Sequence, residues 1–264
     1  VPDMSLPEAQ FEAPYAPLYP ISYYAMAAQA YLDRYGATRE QLASVAVVAR
    51  EWALRNPAAF RHQAGKLTVD DVLSAPMVSS PLTTADCCLV TDGGGAVVVT
   101  SLDRSRTLRR PPVRVLGYGE ATSHTMMATR QDILDTGADS SARAALAMAG
   151  LGPADIDLAM LYDSFTITPV LSLEAIGICG AGEGAAFVAD GHTRPGGRLP
   201  MNTNGGGLSY CHPGQYGVLL LVEAVRQLRG ECGDRQVPGT EVAVAHGTGG
   251  ILSHSATVLL GVDR

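Results

Sequence analysis

The stretch LPMNTNGGGLSYCHPGQYG, Leu199 to Gly217, sets Tyr210, Cys211 and His212 a few residues behind Gly205, Gly206 and Gly207. A phenol, a thiol and an imidazole are groups that move protons or carry acyl chains. Three glycines in a row remove every Cβ, so a ligand or another segment can approach the main chain closely. The apolar run Val218 to Leu221 leads into EAVRQLRG with Gly230 as a stop, which predicts a helix beginning near His212-Pro213. A glycine-rich strand end feeding a helix collects free N–H groups and the positive end of the helix dipole, a place for a carbonyl oxygen, an enolate or a phosphate. The plainer alternative is a flexible loop with His212 on the surface. Two further motifs count against it. YDSF (Tyr162, Asp163, Ser164) and HGTGG (His246, Gly249) also follow strand-like runs, so all three can meet in one crevice at strand ends.

The bulk numbers bound what such a crevice can serve. With 264 residues and 47% apolar content the chain can form a substantial core, and its formal charge of -7 argues against nucleic acid as a partner. Without a long apolar run or a signal-like start, a cytoplasmic protein free of membrane spans is expected. Five cysteines (Cys87, Cys88, Cys179, Cys211, Cys232), with no C-x-x-C pair, fit reduced thiols better than disulfides or zinc. Lys66 is the sole lysine, in a predicted loop, which disfavours a Schiff-base mechanism; no clustered His, Asp or Glu suggests a metal.

The elements that must position these groups can be read in order. Residues 1–20 carry five prolines and predict no regular element, a start that suggests a chain begun inside a larger protein. Helices are predicted from Ile21 to Tyr35 with Gly36 as stop, from Thr38 to Asn56-Pro57, and briefly after Thr68. DCCLVTDGGGA reads as a tight glycine turn, and AVVVT as a strand buried on both faces. Arg104 to Pro112 reads as a solvated linker; a phosphate role for Arg109 and Arg110 is the alternative. Strands are expected at Val113 to Tyr118, at Leu158 to Leu161, and on both sides of the HGTGG turn. Helices are expected at Ser140 to Gly150 and over TITPVLSLEAIG. Strands alternating with helices predict an α/β layered domain with a mixed sheet.

The succession NPAA, LTVDDVL, DCCLVTDGGGAVVVT, YDSFTIT, LEAIG, MNTNGGGLSYCHPGQYG and AHGTGG resembles the thiolase superfamily, in its sterol-carrier or nonspecific lipid-transfer branch. The resemblance implies a thiolase-like layered fold, with a five-stranded mixed sheet flanked by helices and a helical loop domain. It assigns residues 1–83 to the loop domain, 84–111 to the last strand of the N-terminal half and a linker, and 112–264 to the C-terminal half, with most of the first half absent.

The departures from that family carry the functional expectation. Tyr162 and Ser164 stand where related thiolases have the histidine and cysteine of H-D-C-F, and Tyr210-Cys211 where they have Lys-Gly before His-Pro. The acyl-accepting thiol and its base are not visible, whereas phenols, Asp163, His212 and His246 remain. Such groups suffice for retro-aldol cleavage of a β-hydroxyacyl-CoA. Tyrosine at both positions resembles the lipid-transfer-protein-type aldolases of bacterial steroid side-chain degradation. That likeness implies release of propionyl-CoA from a steroid CoA ester, no cofactor beyond the substrate's coenzyme A, a homodimer, and an OB-fold partner carried on a hydratase. Tyr162 and Tyr210 are the expected acid and base, His212 and His246 the groups that polarise the thioester oxygen, and Asp163 their neighbour. Ser164, Asn204, Gly205, Gly206 and Gly249 are expected to line the substrate. For Tyr162 the alternative is a buried strand-end residue; Cys211 reads as structural. Two other functions stay open: an acyl-CoA C-acyltransferase or thiolase whose cysteine lies in the missing half, and a non-catalytic acyl-CoA or lipid carrier subunit.

Overall fold

The computed structural model describes residues 5–262. Its first part is helical: α1 (Pro7–Phe11), α2 (Ile21–Tyr35), α3 (Arg39–Ala53) and α4 (Val69–Ser74), then a small hairpin of β1 (Met77–Ser79) and β2 (Leu82–Thr83). Local chemistry sets these ends. α2 stops at Gly36, whose φ of 66 is left-handed and whose N–H returns to the Leu32 carbonyl. Thr38 opens α3 with a reciprocal cap, its side chain accepting from Gln41 N while the Gln41 side chain takes its own N–H; Thr68 and Asp71 repeat the device at α4. The irregular start expected for residues 1–20 is corrected, because α1 and a 3-10 turn at Ala13–Tyr15 lie inside it. Pro7 is the first residue of α1, where a missing N–H costs nothing. Residues 1–4 of that stretch lie outside the described residues.

The second part contains α5 (Leu102–Ser105), β3 (Val113–Thr122), α6 (Ala138–Ala149), β4 (Leu158–Leu161), α7 (Ile167–Ile176), α8 (Gly184–Ala189), α9 (Gly217–Leu228), β5 (Val242–Gly249) and β6 (His254–Val262). The main sheet runs β3-β6-β5-β4, with β4 parallel to β5 and the other pairs antiparallel, so it is mixed as expected. It has four strands among the described residues rather than five. Beside β4 the chain makes one parallel bridge, between Ala159 and Met201. Asn202 then adopts φ 51, and its side-chain amide takes both the N–H and the carbonyl of Leu161 at 2.8 Å, ending the ladder after one residue.

AVVVT is the third correction. Residues 96–100 carry no strand pairing, and Val98 is 90% exposed. The run has the right composition for a buried strand, yet no strand among the described residues pairs with it, and a strand exists only through its ladder.

The two sheet faces serve different cores. Leu158 and Met160 of β4, with Ala243 and Ala245 of β5, pack on α9. Ala159, Leu161 and Val244 face the larger core that includes α2, α3, α6 and α7. On that side α6 lies against β3 so closely that a Cβ on Gly117 would overlap the Ala145 carbonyl and one on Gly119 the Ser141 carbonyl. Neither backbone can yield without separating helix from sheet. Gly119→Ala is therefore expected to cost at least about 2 kcal/mol, a fall in Tm of roughly 4–8 °C measurable by calorimetry.

Candidate active site

β4 delivers Tyr162 to the edge of the α9 face. Its N–H continues the parallel ladder to the His246 carbonyl at 2.9 Å, and strand alternation sends its side chain to the side of Leu158 and Met160. There the Tyr162 hydroxyl meets His212 Nε2 at 2.9 Å. The two rings stack with centroids 5.5 Å apart, and Tyr216 closes the triangle at 5.8 Å from His212 and 5.9 Å from Tyr162. Burial lowers the His212 pKa, so the imidazole is neutral near neutral pH. Burial raises the Tyr162 phenol well above its ordinary value, helped by Tyr24, Cys88 and Asp163. A phenol that keeps its proton can donate to Nε2 of a neutral ring whose hydrogen sits on Nδ1.

Asp163 explains the glycines. Its carboxylate is fully buried and accepts from Gly207 N at 2.7 Å and Leu208 N at 3.3 Å. Gly206 N donates to Asn204 Oδ1 at 2.9 Å and Gly205 N to the Asn202 carbonyl at 2.8 Å. The free N–H groups expected at this turn are all spent inside the protein. A Cβ on Gly206 would overlap Asp163 Oδ2, one on Gly205 would sit 2.8 Å from Ala53 Cβ, and one on Gly207 would sit 2.9 Å from His212 Cδ2. The glycines thus let the turn close on Asp163, on α3 and on the imidazole. They form a π-helical turn, Gly206–Tyr210. The following α-helix starts at Gly217 and not at His212-Pro213, because Gln215 at φ 61 interrupts the path.

The segment before the exposed valines ties the two motifs together. Cys88 N donates to the Ser164 carbonyl and Leu89 N to the Gly207 carbonyl, both at 2.9 Å, while Thr91 Oγ1 accepts from His212 N at 2.8 Å. On the far side of YDSF, buried Asp86 accepts from Thr166 Oγ1 at 2.8 Å and pairs with Arg39 at 2.9 Å.

The other expected residues are placed as follows. Ser164 is buried with its hydroxyl 3.1 Å from that of Thr168. Asn204 Oδ1 is engaged by Gly206 N and, at 3.4 Å, by the Tyr216 hydroxyl, leaving its buried Nδ2 without a partner among the described residues. Tyr210 follows the turn, but its ring packs on the core around α9 and its hydroxyl makes no hydrogen bond among the described residues. Burial, then Cys211 and Glu223, raises its pKa. The ring that meets Tyr162 is His212, not Tyr210. His246 lies on the other face of the sheet, in step with Val244; its Nδ1 is 2.8 Å from Thr257 Oγ1, which in turn meets Ser141 of α6. Burial drops its pKa to about 4. Gly249 pairs with His254 at the exposed hairpin tip. The structure therefore gathers Tyr162, Asp163, His212, Asn204, Gly205 and Gly206, and sets His246 and Gly249 apart. Tyr216, Thr91 and Cys88 join the site unanticipated; for Tyr216 a signal existed, four residues beyond His212 in the same motif. The Cys88 thiol is pushed up to about 12 by burial, then by Asp163 and Cys87.

A layered mixed sheet with its polar motifs at strand ends and a His-Pro turn leading into α9 is a thiolase-type arrangement. The chain belongs to the thiolase family, matching the thiolase C-terminal domain-like description over residues 119–262. It is 39% identical to an acetyl-CoA acetyltransferase of Methanothermobacter thermautotrophicus over 92% of this chain and 63% of that protein. It is 38% identical to a steroid side-chain-cleaving aldolase of Thermomonospora curvata over 93% of this chain and 62% of that protein. Among solved structures it superposes on an Ltp2-ChsH2(DUF35) aldolase with a TM-score of 0.91 and 33% identity, covering 100% of this chain and 69% of that one. The chain thus spans less than two thirds of the length of both curated relatives.

The buried carboxyl makes a pH prediction. Burial raises the Asp163 pKa to about 7, with the Gly207 and Leu208 amides pulling the other way. The unfolded carboxyl titrates near about 4, so the folded state holds its proton to higher pH. This group's contribution to stability is then fully present below about pH 4 and is lost as the pH climbs through about 7. Urea titrations across that range are expected to show this decline in the wild type and its absence in Asp163→Asn.

Proposed function

We propose that the protein cleaves the Cα–Cβ bond of a β-hydroxyacyl-CoA by a retro-aldol reaction, with a steroid side-chain CoA ester as substrate and propionyl-CoA as a product. The observation that carries this reading is the half-buried Tyr162 to His212 hydrogen bond of 2.9 Å. As the β-hydroxyl proton passes to the Tyr162 oxygen, the phenolic proton passes to His212 Nε2, so no phenolate need accumulate. The Cα–Cβ bond breaks, Cβ becomes a ketone carbonyl, and the electron pair forms a thioester enolate. Asn204 Nδ2, the unspent amide donor beside Tyr216, stabilises that oxygen. Tyr210, protonated and lining a cavity of about 300 Å³ with Thr91, Gly93 and Cys211, gives a proton to Cα, and exchange with solvent then takes the proton from His212 and restores the one on Tyr210.

The neighbouring cavity of about 480 Å³, lined by Arg50, Arg61, Phe60, Cys88 and Ser209, is the place proposed for the CoA arm. The protonated Cys88 thiol favours proton transfer over covalent acyl transfer. In this reading the enzyme is a cytoplasmic homodimer that works with an OB-fold partner; the solved relative with a DUF35 subunit supports a partner. The acyltransferase reading retains one supporting observation, the similarity to the Methanothermobacter acetyltransferase.

The test incubates the protein, with and without an OB-fold partner, with a β-hydroxyacyl-CoA bearing a tertiary alcohol, and follows products by mass. Propionyl-CoA and a ketone are expected, and Tyr162→Phe is expected to slow their release by about 10²–10⁴-fold while ester binding persists. Release of free CoA from acetyl-CoA, with no carbon–carbon cleavage, would support acyl transfer instead.

A further inference from the structure

A third cavity, of about 550 Å³, lies at the opposite end of β4 from Tyr162, bordered by Ile156 and Asp157 just before that strand. Most of its lining residues carry apolar side chains, Trp52 and the prolines Pro195, Pro200 and Pro238 among them, while polar atoms supply the larger part of its exposed surface. Trp52 is 2% exposed, and its Nε1 is anchored to the Thr193 carbonyl at 3.1 Å, so this wall is rigid. Two guanidiniums face the same space. Arg55 lies 5.9 Å over the Trp52 ring and Arg198 5.6 Å over the Phe187 ring. Stacking occupies the flat face of a guanidinium and leaves its N–H edge available.

Neither guanidinium has an ion pair or hydrogen bond among the described residues, although the chain carries a formal charge of -7. The other polar side chains at the cavity are already committed. Asp157 Oδ2 accepts from Glu241 N and Val242 N, both at 2.9 Å, and Gln236 Nε2 donates to the carbonyls of Gln227 and Val237. The unsatisfied chemistry here is therefore cationic, planar and set beside an apolar wall. A bidentate anionic group is its complement.

We propose that this cavity binds an organic anion, with an apolar body against Trp52 and the prolines and a carboxylate or phosphate held by Arg55 and Arg198. The site is separate from the Tyr162 to His212 pair and does not depend on the reaction assigned to it.

Trp52 is the only tryptophan in the chain, so its fluorescence reports on this cavity alone. The protein is titrated with phenyl phosphate, with benzoate and with uncharged benzyl alcohol, and the same titrations are run on Arg198→Gln and on Arg55→Gln/Arg198→Gln. A saturable change with at least one anion and none with the alcohol is expected, with affinity falling at least tenfold in the double variant. The tighter of the two anions then distinguishes phosphate from carboxylate. Arg198→Gln is expected to keep the wild-type Tm, so that lost binding is separated from lost folding. No saturable change with either anion, an equal response to the alcohol, or undiminished affinity in both variants would overturn the proposal.

Discussion

One buried carboxylate organises the site. Asp163 lies two residues beyond β4 and is fully buried, so its oxygens must find donors within the protein. It finds them in the backbone of the glycine turn, at Gly207 and Leu208. That attachment fixes the path of residues 206–210 as a π-turn and brings His212 back over β4 to meet Tyr162. The glycines follow from the same contact, since a side chain at Gly206 would occupy the space of the carboxylate. A turn that resembles an open anion-binding nest in sequence is closed in the molecule by a carboxyl group of its own.

That closure moves the chemistry from the main chain to side chains. With the turn's N–H groups occupied, the polar groups left are side chains: the His212 imidazole against Tyr162, the Asn204 amide beside Tyr216, and the Tyr210 hydroxyl. Burial keeps the imidazole neutral and the phenol protonated at rest, so the pair holds no buried charge until a proton passes to the ring. The nearby Cys88 thiol is held protonated by the same burial. A single low-polarity environment thus suppresses thiolate chemistry and permits a phenol–imidazole relay.

Much of the fold was legible because its signals are local. Gly36, Thr38 and Thr68 mark helix ends by caps that need only neighbouring residues, and the strand at Leu158–Leu161 is a short apolar run. The errors arise where a partner distant in sequence decides the outcome. AVVVT has strand composition but no partner strand among the described residues, and Asn202 replaces a fifth strand by capping Leu161 with its side chain. Within the site, the motifs named Tyr162, Asp163 and His212 correctly as neighbours in space. They could not show that β-strand alternation sends His246 to the α6 face, since that depends on the register of β5 against β4. Nor could they show that Tyr216, and not Tyr210, stacks beside Tyr162 and His212.

The central claim is that Tyr162 donates its proton to a neutral His212. Nitrogen-15 NMR of the histidine-labelled protein near neutral pH measures this directly. The account predicts that His212 gives the signature of a neutral ring whose Nε2 accepts a hydrogen bond, and that this resonance moves downfield toward a free, non-bonded nitrogen in Tyr162→Phe. An imidazolium signature, or an Nε2 resonance indifferent to the loss of the phenolic hydroxyl, would contradict it.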